Sequence, residues 1–298
     1  MKVSVTPRVT VGLPFRNPGK YFELALASVF SQTFTDWELL LVDDGSDDDS
    51  LTLARGVRDA RVSVVADGLQ VGLSARLNQI AQLARGEYLA RMDADDLMHP
   101  NRLRRQVEAL DADQTLDVTG TATYSLDATG VVNGVRGLAR ADTSPAAVVA
   151  RVPFIHPTVT GRTVWFHRHP YDGRFVRAED HELWCRTASS SRFMKINKPL
   201  YFYREGGPGA LDKYIRSCRT DRSIYRLYGA EARGRIWTEW MVLLSHLKAA
   251  TYSIAVLANL EAELLSLRNA ELTADDRAEA SCALATIRST HVEGLDGL

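Results

Sequence analysis

Three segments of this 298-residue chain place carboxylates where an apolar run stops or a helix begins. Residues 88–92 (Tyr-Leu-Ala-Arg-Met) have the length and character of a buried strand, and Asp93, Asp95 and Asp96 follow at once. Ligands of open α/β sheets bind outside the carboxyl ends of the strands, so acids there suit a hard cation and the oxygens of a sugar or phosphate. Asp93 and Asp95, two residues apart on an extended segment, project to one side and can converge on one ion. The alternative is a solvated turn capping a helix that starts near Asn101. A second apolar run, 37–43, ends in Asp43 and Asp44, whose carboxylates can accept hydrogen bonds from a nucleobase N–H or from ribose hydroxyls. In the alternative, Asp-Gly-Ser turns the chain and Ser46 caps a helix. Two strands that both end in acids would bring them to one edge of a sheet.

The third segment is Arg177-Ala-Glu-Asp180, ahead of a helical stretch. Transfer to an acceptor hydroxyl requires removal of its proton, and Asp180 within hydrogen-bond reach would act as the general base. A helix cap is the alternative. Glu179 and His156 are second choices that orient or bind an acceptor, and a packed histidine is the other reading of His156. Trp165 and Trp184 either stack on a sugar face or fill the core.

The elements that would position these groups alternate. Strands at 9–15, 37–43, 62–66 and 88–92 are separated by helices at 21–31, 46–58 and 72–84. This rhythm predicts a Rossmann-like α/β fold with a doubly wound, mostly parallel sheet. A helix at 101–110, a strand at 116–126, a turn at 127–130 closing a hairpin, a helix at 145–152, a strand at 158–166, a helix at 180–188 and a strand at 199–203 follow. Beyond a boundary near residue 207 the pattern is helical: 212–228, 235–248, 252–268 and 274–289. The chain thus reads as an α/β domain, 1–207, with a nucleotide-binding half (about 8–110) and an acceptor half (about 111–207), plus a helical C-terminal extension, 208–298. That extension suits a lid, a cover for the sheet, or a homodimer surface.

With 36 basic and 37 acidic residues, no global basic field favours nucleic acid. Three widely spaced cysteines suit reduced thiols rather than a disulfide framework. No signal-peptide core and no apolar run of about 18 residues occurs, so a cytoplasmic protein without a transmembrane segment is expected.

Leu13-Pro-Phe-Arg-Asn17, the run from Ala27 to Asp43-Asp-Gly-Ser46, Asn78, Gly86-Glu-Tyr, Asp93-Ala-Asp-Asp96 and Ala178-Glu-Asp-His-Glu-Leu-Trp-Cys-Arg186 together resemble the family 2 glycosyltransferases over residues 9 to about 205. The resemblance implies a GT-A type nucleotide-diphospho-sugar transferase fold and inverting, metal-dependent sugar transfer. Pro14, Phe15 and Asn17 would belong to the donor site, with Pro14 and Phe15 shaping the base pocket. Asp44, or Asp43 in its place, would meet the uracil edge, and Arg76 the diphosphate or base. Asp93 would reach the ribose or metal, Asp95 would hold Mn²⁺ or Mg²⁺, and Asp180 would be the base, with His156, Glu179 and Trp184 on the acceptor side. A UDP-sugar donor and a hydroxyl acceptor are the expected partners. The chain departs from the family in Tyr203-Arg-Glu-Gly206, where many members carry a histidine two residues after Tyr-Arg. A sugar nucleotidyltransferase would instead need a Gly-rich phosphate loop after the first strand, which Gly12–Asn17 does not match. A non-catalytic nucleotide-sugar sensor could keep every binding residue.

Overall fold

A computed structural model describes residues 6–204, 210–258 and 268–295. The apolar runs of the first half form β1 (Val9–Phe15), β2 (Trp37–Asp43), β3 (Val62–Val65) and β4 (Tyr88–Arg91), all parallel, in the order β3-β2-β1-β4. The runs are continuous because both faces of the sheet are covered. Leu39 and Leu41 face Phe22 and Leu26 of α1 (Phe22–Phe30) and Leu103 and Val107 of α4 (Arg102–Ala112). Leu40 and Val42 face the other way, onto Leu77, Ile80 and Ala81 of α3 (Leu73–Leu83). Each large side chain so buried contributes roughly 1.5–3 kcal/mol. The short α2 (Ser50–Gly56) starts later than 46–58 predicts, because Asp44 through Asp49 form the loop after β2.

The second half is antiparallel in part. It comprises β5 (Leu97–Met98), β6 (Val118–Leu126), β7 (Val132–Arg136), β8 (Thr160–Arg162) and β9 (Phe193–Arg204). β8 lies antiparallel between β4 and β6, β9 runs parallel to β6, and β5 pairs antiparallel with the end of β9, Leu97 opposite Phe202. β7 closes the expected hairpin with β6. The short turn after β4 leads directly to β5, yet β8, β6 and β9 stand between those two strands in the sheet. A flat sheet would separate them by about 19 Å, nearly the full reach of the extended connection. The connection is folded into a turn, so the sheet curls and sets the end of β9 beside the end of β4.

The strand expected over 158–166 stops at Arg162, and α6 (Thr163–Arg168) takes over. Thr-Val-Trp-Phe has strand propensity, but adjacent Trp165 and Phe166 are both buried, which a half-buried strand cannot achieve. They join an aromatic cluster with Trp184 of α7 (Glu179–Thr187) and Phe193. The strand expected at 199–203 begins six residues earlier, and two-residue β5 is too short to leave a periodic signal.

The C-terminal helices are α8 (Ala210–Ile224) running through a π-helical turn (Tyr225–Gly229) into α9 (Ala230–Arg233), then α10 (Arg235–Leu257) and α11 (Ala274–Ser289). The stretches expected as two helices, 235–248 and 252–268, are one continuous helix as far as Leu257. The boundary near residue 207, and most of the expected helix beyond 258, lie outside the described residues. Ile224, Tyr225 and Val242 pack into the cluster around Trp184, as do Val148 and Val149 of α5 (Pro145–Ala150), whereas Leu284 and Ile287 of α11 cover Tyr124 and Phe202. No helix among the described residues is long and apolar enough to cross a membrane.

Candidate active site

The acidic turn after β4 is fastened to the end of β9. The Tyr201 hydroxyl accepts from the Asp93 amide at 3.1 Å, and the Arg204 amide donates to Asp96 Oδ1 at 2.7 Å. The Arg204 guanidinium, lying 3.9 Å from the Tyr21 ring centroid, also donates to the Asp95 and Asp127 carbonyls, both at 2.9 Å. Asp96 is buried, and burial with the charges of Asp95 and Asp93 pushes its carboxyl well above the ordinary range. It fastens the turn and does not line the cleft. Asp93 is held by the buried Arg91, whose Nη2 lies 2.8 Å from its Oδ1. Asp95 is exposed as a residue, while the enclosure of its carboxyl group and the nearby Asp93 charge raise its pKa.

A cleft of about 540 Å³ opens beside this turn. Asp93 and Asp95 line one part of it, His156, Glu179 and Asp180 another, and Tyr214 and Tyr252 of the C-terminal helices a third. The segments around Asp93 and Asp180 are therefore brought together, although they lie far apart in the chain.

Asp180 stands in the first turn of α7, behind Ala178 in the left-handed region at φ +55°. A non-glycine residue there carries strain of roughly 1–2 kcal/mol and redirects the chain so that the helix starts at the cleft. The Asp180 carboxylate is half-buried and accepts no hydrogen bond from a described residue. Glu179 is buried, which raises its pKa, and its Oε1 lies 3.5 Å from His156 Nδ1. The other nitrogen of His156 is 2.8 Å from the Tyr171 hydroxyl. Burial, then the Arg91 charge, depress His156 to about 3, so the ring is neutral. Glu179 and His156 satisfy each other, which leaves Asp180 as the available carboxylate. His181, which follows, presents Nε2 to the Val148 carbonyl and Nδ1 to Asp221 of α8.

The carboxylates after β2 do not line this cleft. Asp43 folds back to accept from the Gly45 and Ser46 amides, as in the turn alternative. Ser46 caps no helix; its hydroxyl accepts from the Asn17 amide, and Asn17 itself, at φ +50°, bonds to Asp47 through its side chain. Asp44 Oδ1 accepts from Val71 N and from Arg76 Nε, while Oδ2 accepts only from Gly72 N. Arg76 is neither the exposed helix arginine nor a free anion contact that the sequence suggests, because it is buried and paired with Asp44 and Asp67. Phe15 points into the core against Phe22, ring centroids 4.9 Å apart, and does not line the cleft. The cleft reaches Leu73, next to the Gly72 amide that Asp44 holds.

Trp184 is a correction. Fully buried among Phe154, Trp165 and Phe193, it offers no face to an acceptor and supports α7 from beneath. Sequence reasoning also passed over Arg91, whose signal was a lone charge inside the apolar run 88–92, and the fastening pair Tyr201 and Arg204. Tyr214 and Tyr252, stacked at 3.9 Å, carried no signal beyond helical spacing.

A parallel sheet whose β4 brings carboxylates to a cleft shared with the start of α7, extended by a curled, partly antiparallel half, defines a GT-A type glycosyltransferase. The family described as Glycosyl transferase family 2 matches residues 10–175, and the chain belongs to it. It is 31% identical over 206 residues to the putative glycosyltransferase EpsE of Bacillus subtilis, covering 67% of this chain and 73% of that protein. Among solved structures, S. aureus TarS 1-349 in complex with UDP-GlcNAc superposes with a TM-score of 0.62 at 16% identity, covering 94% of this chain and 80% of that one. The mannosyltransferase PcManGT from Pyrobaculum calidifontis, in complex with GDP-Man and Mn²⁺, gives 0.59 at 17% identity, covering 96% and 87%. At these identities the structures share the fold.

Proposed function

We propose that this glycosyltransferase moves a sugar, with inversion, from a nucleotide-diphosphate donor, UDP-linked by preference, to an acceptor hydroxyl, aided by Mn²⁺ or Mg²⁺. The observation that carries the reading is that Asp93, Asp95 and Asp180 line one cleft, with Asp93 held by Arg91 and the Asp180 carboxylate, across the cleft, free of a described hydrogen-bond donor. The Asp180 carboxylate would accept the acceptor's proton as its oxygen bonds to the anomeric carbon. The bond from that carbon to the diphosphate breaks on the opposite face, and the nucleoside diphosphate departs.

Among the described residues no three His, Cys, Asp or Glu side chains gather around one point. The exposed Asp95, and the Asp93 oxygen not bound to Arg91, nevertheless suit a hard cation. Magnesium sites commonly take one or two carboxylates and fill the remaining positions with water and substrate phosphate oxygens. Such an ion would neutralise charge growing on the departing diphosphate. On the base side, Asp44 Oδ2 accepts a single amide and retains a lone pair for the N3–H of uracil or thymine.

Calorimetric titration of UDP, dTDP and GDP, with Mn²⁺ and then with EDTA, tests this reading. Metal-dependent binding of UDP, with GDP excluded, is expected. A folded protein that binds no nucleotide under either condition would overturn it.

A further inference from the structure

One side of α10 is buried, and the side that faces solvent is apolar. Thr238, Val242, Ser245 and Tyr252 are buried toward the body of the protein. On the opposite side Ile236 (91% exposed), Trp240 (55%), Leu243, Leu244, Leu247 and Ile254 (65%) stand in solvent. At 3.6 residues per turn these six fall within an arc of about 100°, a continuous stripe along the helix. A stripe of this extent on a soluble surface marks an interaction site.

The chemistry beside the stripe selects its occupant. Between residues 213 and 257 there are eight lysines and arginines against three aspartates and glutamates, in a chain whose net charge is −1. Several of the basic residues sit at or beside α10. Arg235 is on the helix; Arg222 contacts Ser245 at 3.4 Å, Arg233 lies 4.9 Å from the Trp237 ring centroid, and Lys248 lies 5.0 Å from that of Tyr214. Asp221, one of the three acids, is already committed to His181. An apolar stripe with a tryptophan, in surroundings where cations outnumber acids even with Glu239 on the helix itself, matches a helix lying in the interface of an anionic bilayer. A second copy fits less well, because a two-fold contact sets the patch against itself and brings like charges together.

We infer that the solvent face of α10 docks the protein on an anionic lipid surface, without spanning it. The opposite face of the helix supplies Tyr252 to the cleft, so the cleft would lie about one helix diameter, ~10 Å, from the headgroups.

The test is co-sedimentation of the full chain with vesicles of phosphatidylcholine alone, or with about one-third phosphatidylglycerol, at about 0.1 M and 0.5 M salt. At least about tenfold more protein should partition to the anionic vesicles at low salt, and high salt should reduce the difference. Leu243→Glu with Leu247→Glu should lower binding about tenfold while the melting temperature holds, and Ile236→Ser, at the most exposed position, should lower it less. Equal partition to both vesicle types, or none, would overturn the inference. So would a concentration-dependent dimer in analytical ultracentrifugation that the double substitution abolishes.

Discussion

His181 Nδ1 lies 3.1 Å from Asp221 Oδ1, joining the residue after Asp180 to the helix that forms the far wall of the cleft. Nε2 faces the Val148 carbonyl at 3.0 Å, so both ring nitrogens meet acceptors and the ring is an imidazolium. Burial opposes that charge, but Asp221 and the Cys185 sulfur outweigh it and raise the pKa to about 10. A value raised on folding gives stability that is complete below the unfolded value of about 6.5 and is lost as pH rises through about 10. Thermal melts should therefore show the protein weakening from pH ~7 to pH ~10. His181→Gln should be less stable by about 2 kcal/mol at neutral pH and much flatter across that window. An equally steep decline in the variant would show that another group governs it.

Asp180→Asn preserves shape and removes basicity. Turnover should fall by about 10²–10⁴-fold while calorimetric donor affinity stays within about twofold. Normal turnover would return the base role to another group.

Asp95→Ala and Arg204→Ala separate metal binding from the fastening of the turn. Asp95→Ala should remove the Mn²⁺ stimulation of UDP binding with little change in melting temperature. Arg204→Ala loses the donors to the Asp95 and Asp127 carbonyls, and should lower stability by about 1–2 kcal/mol as well as weakening metal-stimulated binding. Metal-stimulated binding of UDP that survives unchanged in Asp95→Ala would remove that residue from the cation site.

Ala178→Val tests the left-handed entry to α7. A β-branched side chain is strongly disfavoured at φ +55°, so denaturant unfolding should show a loss of about 1–2 kcal/mol. Turnover should fall further than donor affinity, because the strained residue aims Asp180.

The parallel half was legible because two-sided burial writes itself as continuous apolar runs; β1 and β2 appear with the bounds that 9–15 and 37–43 predict. Asp93, Asp95 and Asp180 were legible from residue type at a strand end and a helix start. What escaped was long-range pairing: Arg76 with Asp44, Arg204 with the acidic turn, and His181 with Asp221. Such partners leave no periodic trace, since each is fixed by tertiary geometry. Trp184 escaped for another reason: aromatic character suits a sugar face and a core equally, and only its burial decides between them.

The turn bearing Asp93 and Asp95 is tied to Tyr201 and Arg204 across 108 residues. A polypeptide made from its amino end therefore releases the parallel half first, with its strands able to form and the acidic turn still unfastened. The antiparallel half must emerge and curl back before the turn is set, a slow, non-local closure. An unfinished or prematurely terminated chain would thus present a sheet without a working centre, so sugar donors would be spared until synthesis has passed residue 204.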